Sequence, residues 1–143
     1  MSEPSRVLPS VRQVVLDTED ARGLAEFYRR LLGLVYRAGD EPPTDGSPDR
    51  NGQDWLCLRR PDGTPLLAFQ QVASLSAATW PEGPRPQMLH LDLTVPSLPD
   101  LEEAHQRSLD LGARLLHDRS EDPEEPLYVY ADPAGHPFCI FVA

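Results

Sequence analysis

The feature that most constrains the fold of this chain is an internal repeat of predicted elements. Apolar and polar residues alternate over 11–18 and again over 87–95, which predicts a strand in each segment. Each strand is followed by a helical apolar pattern, a further short strand and a β-hairpin pattern. The two strands align at an offset of 77 residues, which pairs Gln13 with His90. We therefore expect two copies of one β-α-β-β-β unit, related by a pseudo-two-fold axis.

The predicted fold is a single α+β domain over residues 1–143. Module one covers about 10–72, module two covers about 87–143, and a proline-rich linker of about 73–86 joins them. We expect one helix to cover the back of each half-sheet. The fronts would then form one cupped mixed sheet with the helices on the outside. A chain of 143 residues is long enough to bury a core of this kind.

Polar residues on the first strand of each module are the first candidates for a functional site. Alternation places Gln13 on the face opposite Val14, and it places His90 and Asp92 on the face opposite Leu91. His90 is either a functional residue that faces the cavity or a histidine satisfied by a neighbour such as Gln13 or Asp92. Gln13 and Asp92 likewise either contact a ligand or only provide partners for buried polar groups.

The closing hairpins of the two modules also align, with Gly63 opposite Gly135 at an offset of 72 residues. The same offset makes Leu67 the counterpart of Cys139, and alternation puts Leu67 and Phe69 on one face of their strand. Three roles are open for Cys139, which lies in an apolar strand. It packs as a small hydrophobic residue, binds a metal, or acts as a nucleophile.

Composition argues against several classes of partner. The net charge is −10, whereas nucleic acids and anionic membranes bind clustered basic residues. No segment approaches the roughly 18 apolar residues of a membrane span, and no secretion signal is visible. The two cysteines are too few for a disulfide framework, which favours a cytoplasmic, reducing location. The expected partner is a small molecule, neutral or cationic in preference to a phosphonate.

Three segments of the chain resemble the vicinal oxygen chelate superfamily: "EDARGLAEFYRRLLGL", "PQMLHLDLTV" and "YADPAGHPFCIF". This superfamily contains glyoxalase I, extradiol dioxygenases, fosfomycin-resistance thiol transferases and bleomycin-binding resistance proteins. The chain looks most like its bacterial glyoxalase-like domain branch, over about residues 10–143. The resemblance implies a fold of two βαβββ modules and a homodimer.

The resemblance also implies four strand positions for metal ligands, which fall on Gln13, Leu67, His90 and Cys139. Glyoxalase I chemistry needs a glutamate that binds the metal and moves a proton, and extradiol chemistry needs two histidines and a carboxylate. Because this set has one histidine and no carboxylate, we expect neither activity. No metal is favoured; if one binds, Gln13, His90 and Cys139 would hold it, and zinc fits them best.

Two functions follow as hypotheses. The first is a metal-free small-molecule binding protein of the bleomycin-resistance type, and the alternative is a metal-dependent lyase, isomerase or thiol transferase with a Gln/His/Cys site. By analogy with the relatives, Trp55 and Cys57 should share the cavity side, while Trp80 caps the cavity or fills a dimer contact. His136 is expected only to stabilise its turn. The complete set of expected ligand-binding residues is Gln13, Trp55, Cys57, Leu67, Phe69, His90, Asp92 and Cys139.

Overall fold

The structure, a computed structural model, describes residues 7–80 and 82–143. The first half contains β1 (Val14–Thr18), α1 (Ala21–Leu32), β2 (Val35–Tyr36), a 3-10 turn (Asn51–Gln53), β3 (Trp55–Arg59) and β4 (Pro65–Gln71). The second half contains β5 (Leu91–Val95), α2 (Leu98–Leu111), β6 (Arg114–Arg119), β7 (Leu127–Ala131) and β8 (Pro137–Val142). Within these residues, neither helix has the length and apolar character needed to cross a membrane.

Both helices begin directly after the capping residues that the sequence predicts. The Asp20 side chain accepts a hydrogen bond from the Gly23 backbone N–H at 2.9 Å, which caps α1. Ser97 caps α2 in the same way, with Asp100 N–H as the donor. After α1 the chain turns at Gly33, whose φ of 67° is a left-handed conformation that glycine adopts without steric cost.

The strands form two four-stranded sheets of the same topology. The strand orders are β1-β4-β3-β2 and β5-β8-β7-β6, so β1 and β5 are edge strands. Each of these two strands runs parallel to its neighbour, and the remaining pairs are antiparallel. The parallel pair requires a crossover connection, which begins with the helix of that half. The predicted α+β class, with two similar βαβββ halves, is confirmed.

The two halves share one hydrophobic core. Phe27 and Tyr28 of α1 contact Phe138 of β8, with ring centroids 5.9 and 6.2 Å apart. The Tyr28 ring also stacks on Phe69 of β4 at 6.0 Å. Aromatic residues therefore pack the helix of the first half onto a strand of the second. The face of each sheet that points away from this core is called its outer face.

A β-bulge in the first hairpin corrects the predicted alignment of the modules. Leu58 pairs with Leu67 but Arg59 pairs with Pro65, which leaves Leu66 as an extra residue in β4. The β7–β8 hairpin has no such shift. Because a one-residue shift moves every later side chain to the other face, β4 presents a different set of residues to the outer face.

The prediction that Leu67 is the counterpart of Cys139 is therefore wrong. Cys139 pairs with Asp92, whereas the equivalent position of the first sheet, paired with Val15 and Cys57, is Ala68. Leu67 and Phe69 both lie on the core face of β4, and Phe69 is fully buried. The expectation that Phe69 lines the ligand cavity is also wrong.

Candidate functional site

Three polar side chains meet on the outer face of the second sheet. The Cys139 thiol donates to Asp92 Oδ1 at 3.1 Å, and His90 Nε2 lies 3.1 Å from the same oxygen. The nitrogen, oxygen and sulfur atoms of the three residues all lie within 4.8 Å of one another. We call His90, Asp92 and Cys139 the polar cluster.

The strand pattern explains why these residues meet. Parallel pairing of β5 with β8 makes Asp92 and Cys139 direct neighbours. His90 lies directly before β5, and its contact with the Asp92 carboxylate places it on the same side of the sheet as Asp92. Leu91 and Leu93 point the other way and pack against the core, which fixes the register of β5.

The electrostatics of the polar cluster disfavour a nucleophilic role for Cys139. Partial burial and the neighbouring Asp92 carboxylate raise the pKa of the Cys139 thiol to about 12. The thiol is therefore protonated at neutral pH, and it is the thiolate that reacts. The thiol donates its proton to Asp92, and the described residues show no hydrogen bond between His90 and Cys139 that would let the imidazole remove it.

A small pocket of about 70 Å³ opens beside the polar cluster. Its lining residues are Trp80, Gln87, His90, Val129, Pro137, Phe138 and Cys139. Trp80 lies against His117 with ring centroids 5.9 Å apart, and its indole forms part of the pocket wall. The Gln87 Oε1 atom is buried and has no hydrogen-bond partner among the described residues. No pattern in the sequence points to Gln87, because its orphaned oxygen is visible only in three dimensions.

A larger cleft of about 720 Å³ runs along the free edge of β5. The residues around it come from the end of α1, the β3–β4 turn and β5. They are Leu32, Leu34, Arg60, Pro61, Asp62, Leu66, Leu67, Leu91, Asp92, Leu93 and Thr94. Asp92 lines this cleft and also contacts the residues of the small pocket, so it connects the two spaces. Leu67 thus faces this cleft and not the outer face of its own sheet.

The remaining expected site residues lie on the first sheet. Trp55 and Cys57 share its outer side, and the Trp55 indole N–H donates to the Cys57 sulfur at 3.1 Å. Gln13 precedes β1 and is not among the described residues that line the small pocket. In the described part of the chain it also has no hydrogen bond to His90, and β1 and β5 belong to separate sheets. The structure therefore brings Asp92, and not Gln13, into the polar cluster.

The turn before β8 joins the halves of the molecule. Asp132 is 4% exposed and accepts hydrogen bonds from the Tyr28 hydroxyl and from the backbone N–H groups of Ala134 and His136. Burial raises the pKa of Asp132 despite these donors. His136 Nε2 lies 2.7 Å from the Asp17 carbonyl oxygen. His136 therefore contacts its own turn through its backbone and the first sheet through its ring.

Solved structures with the same fold include a glyoxalase/dioxygenase from Nostoc punctiforme, at 21% identity and TM-score 0.66, covering 99% of this chain and 98% of that one. A second is the fosfomycin resistance protein FosX from Listeria monocytogenes, at 13% identity and TM-score 0.66, covering 96% and 95%. A mutant of that FosX, at 14% identity and TM-score 0.66, covering 96% and 94%, was solved in complex with Mn(II) and 1S,2S-dihydroxypropylphosphonic acid.

No curated protein has significant sequence similarity to the chain. Residues 13–141 match the glyoxalase-like domain family, and this span covers nearly the whole chain. Fold and family match thus agree with each other and with the motifs in the sequence. The chain therefore belongs to the glyoxalase-like domain family.

Proposed function

We propose that this chain is a metal-free, small-molecule binding protein of the bleomycin-resistance type. Its ligand would lie along the β5 edge of the second sheet, from the small pocket on the outer face to the cleft along β5. The observation that carries the proposal is the polar cluster, whose three side chains contact one another. His90 and Cys139 line the small pocket, and Asp92 lines the cleft. An apolar pocket with a few convergent polar groups is the usual form of a small-molecule site.

Binding is favoured over turnover by the state of Cys139. An efficient general base has a pKa near the working pH, whereas burial and Asp92 raise the pKa of this thiol to about 12. The Asp92 carboxylate accepts the thiol proton in a hydrogen bond and lies beside His90, so both of its neighbours compete for the oxygen that would take a substrate proton.

A metal-dependent enzyme is the second candidate, and the spacing of the donor atoms favours it. Imidazole nitrogen, carboxylate oxygen and thiolate sulfur within 4.8 Å fit zinc, which accepts all three and leaves a fourth position open. His90, Asp92 and Cys139 would hold the ion, in place of the Gln13, His90 and Cys139 set expected from the sequence. A bound zinc would supply Lewis-acid polarisation of a ligand oxygen, while Cys139 would first have to lose its proton.

Metal analysis of tag-free protein, purified without chelator, separates the two candidates. The metal-free proposal expects no bound metal, and no thermal shift when zinc, nickel, manganese or iron is added. Nearly one metal ion per chain, lost in Cys139→Ser and retained in Cys57→Ser, would instead establish the metal site. The Cys57 variant is a matched control, since the same atom changes on the other sheet.

We also propose that the chain forms a homodimer. Among the described residues, the edge strands β1 and β5 pair with a strand on one side only, and an exposed edge commonly pairs with another strand. Large apolar residues lie exposed on or beside these edges, including Val15, Met88 and Leu89. A second copy would cover both features at once.

A further inference from the structure

We infer that the pocket beside the polar cluster selects an organic cation with N–H donors, such as an amidinium, guanidinium or primary ammonium group. This inference rests on the proposed small-molecule binding function and names the chemical class of its ligand. It depends on the polar atoms in and beside the pocket, on its aromatic wall and on the local charge.

The pocket offers one buried acceptor that lacks a donor, with a carboxylate beside it. Gln87 Oε1 is buried without a partner among the described residues, and leaving a buried acceptor unpaired costs free energy. Asp92 contacts Cys139 and His90 of the lining through its Oδ1 atom. A carboxylate can accept further donors, and the Asp92 side chain is 58% exposed and thus still open to a ligand. A cation with several N–H groups would satisfy both acceptors, as a planar amidinium does for a carboxylate.

The aromatic wall also suits a cation. Trp80 lines the pocket together with the polar side chains, and the indole face is the aromatic surface that attracts cations most strongly. Burial on one side removes part of the water that would otherwise weaken this attraction. A cationic group held by Trp80 and Asp92 would therefore contact a π-face and a carboxylate together.

Local charge disfavours an anion in the same place. No lysine or arginine is among the described residues that line the pocket, and Glu125 adds its negative field to that of Asp92 at the Cys139 sulfur. A phosphonate of the type bound in the FosX structure would meet the Asp92 carboxylate there without an arginine among the described lining residues of the pocket, because Arg60 lines the cleft and not the pocket. The pocket itself is small, at about 70 Å³, so it fits a head group while the body of the ligand lies in the cleft of about 720 Å³.

Benzamidine, benzamide and benzoate test this inference, because they share one shape and differ in charge. Each would be titrated into ¹⁵N-labelled protein in the presence of EDTA, and the Trp80 indole N–H resonance would be followed. We expect benzamidine to bind about fivefold or more tightly than benzamide, and benzoate to bind more weakly than both. Asp92→Asn should weaken benzamidine binding by about fivefold and leave benzamide binding unchanged.

Asp110→Asn is the matched control, since it removes the same charge from an exposed position on α2, and benzamidine affinity should not change. Gln87→Leu is a second variant, which should weaken benzamidine more than benzamide. Equal or tighter binding of benzamide or benzoate at Trp80 would overturn the cation inference and leave the binding function standing. If none of the three shifts Trp80, the inference is also wrong. The binding function then fails only if a broad library of neutral and anionic compounds leaves Trp80 unshifted as well.

Discussion

At the scale of single residues, a hydrogen bond from the Tyr28 hydroxyl connects the two modules. It donates to Asp132 Oδ2 at 2.7 Å, and both residues are almost fully buried. Asp132 in turn accepts two backbone N–H groups of its own turn, so the hydroxyl completes a set of three donors around one carboxylate. A buried carboxylate depends on such donors, because it has lost its water.

Tyr28→Phe should therefore destabilise the protein. The change leaves the ring packing intact but removes one donor from a buried carboxylate, and we expect the free energy of unfolding to fall by about 1–3 kcal/mol. Urea unfolding followed by circular dichroism measures this loss. Tyr36→Phe is the control, since its hydroxyl bonds the more exposed Glu26, and it should cost less. An equal cost for both variants would contradict the importance assigned to the Asp132 contact.

Cys139 should react slowly with iodoacetamide. Because burial and Asp92 raise the pKa of its thiol to about 12, the rate at pH 8 should be at least roughly 100-fold below that of a cysteine in an unfolded peptide. The rate should still increase above about pH 10, where an ordinary thiol has reached its plateau. Because the pKa of this thiol is higher in the folded than in the unfolded state, its protonated form stabilises the folded protein at pH values below the unfolded-state pKa. This contribution to the free energy of unfolding is lost as the pH rises toward 12.

Peptide mapping by mass spectrometry separates Cys139 from Cys57 in that experiment. Asp92→Asn is the informative variant, because removing the carboxylate charge should move the alkylation profile of Cys139 to lower pH. A profile for native Cys139 that levels off near an ordinary thiol pKa, at about pH 9, would contradict both the partial burial of the thiol and its contact with Asp92.

At the scale of elements, the sequence predicts helices well and hairpin register poorly. The caps at Asp20 and Ser97 are local signals, and the structure confirms both. Alternation along the strand predicted over 87–95 likewise indicates that His90 and Asp92 share a face, although β5 itself begins at Leu91. The bulge at Leu66 has no such local signal, because it depends on how β3 and β4 pair, and it accounts for the errors at Leu67 and Phe69. The contact of Asp92 with Cys139 depends on the pairing of β5 with β8, which no local pattern specifies.

Ser97→Ala should weaken the start of α2. The Ser97 hydroxyl accepts from the Asp100 backbone N–H and donates to the Asp100 carboxylate, and losing such a cap costs about 1 kcal/mol. Thermal unfolding of Ser97→Ala beside Ser74→Ala measures the effect, since Ser74 lies exposed in the linker. If the cap contributed nothing to stability, Ser97→Ala and Ser74→Ala would have the same melting temperature.

At the scale of the whole molecule, β1 and β5 are edge strands, and among the described residues each pairs with a strand on one side only. Val15 is 40% exposed although it lies in a strand, which is unusual for a β-branched residue in a well-covered sheet. The same edge of the second sheet borders the cleft and the polar cluster. The surface that would pair with a second copy thus adjoins the proposed ligand site.

Light scattering coupled to size exclusion should give twice the 15.9 kDa mass of one chain at micromolar concentration. Val15→Arg should shift the protein to the monomer mass, because it places a charge on the apolar edge. Leu98→Arg is the control, an equally large change at an exposed position at the start of α2, and it should leave the mass unchanged. A monomer in the unmodified protein would remove the dimer proposal.

The positions around the polar cluster make the two halves of the repeat chemically unequal. Where the second sheet has Asp92, Cys139 and Val129, the equivalent positions of the first sheet hold Val15, Ala68 and Cys57. The extra residue Leu66 brings Ala68, in place of Leu67, to the position of Cys139. Among the described residues, a grouping of metal-ligating side chains therefore occurs in one half of the repeat only. A duplicated fold would be expected to saturate at two equivalents of ligand per chain, whereas this one should saturate at a single equivalent.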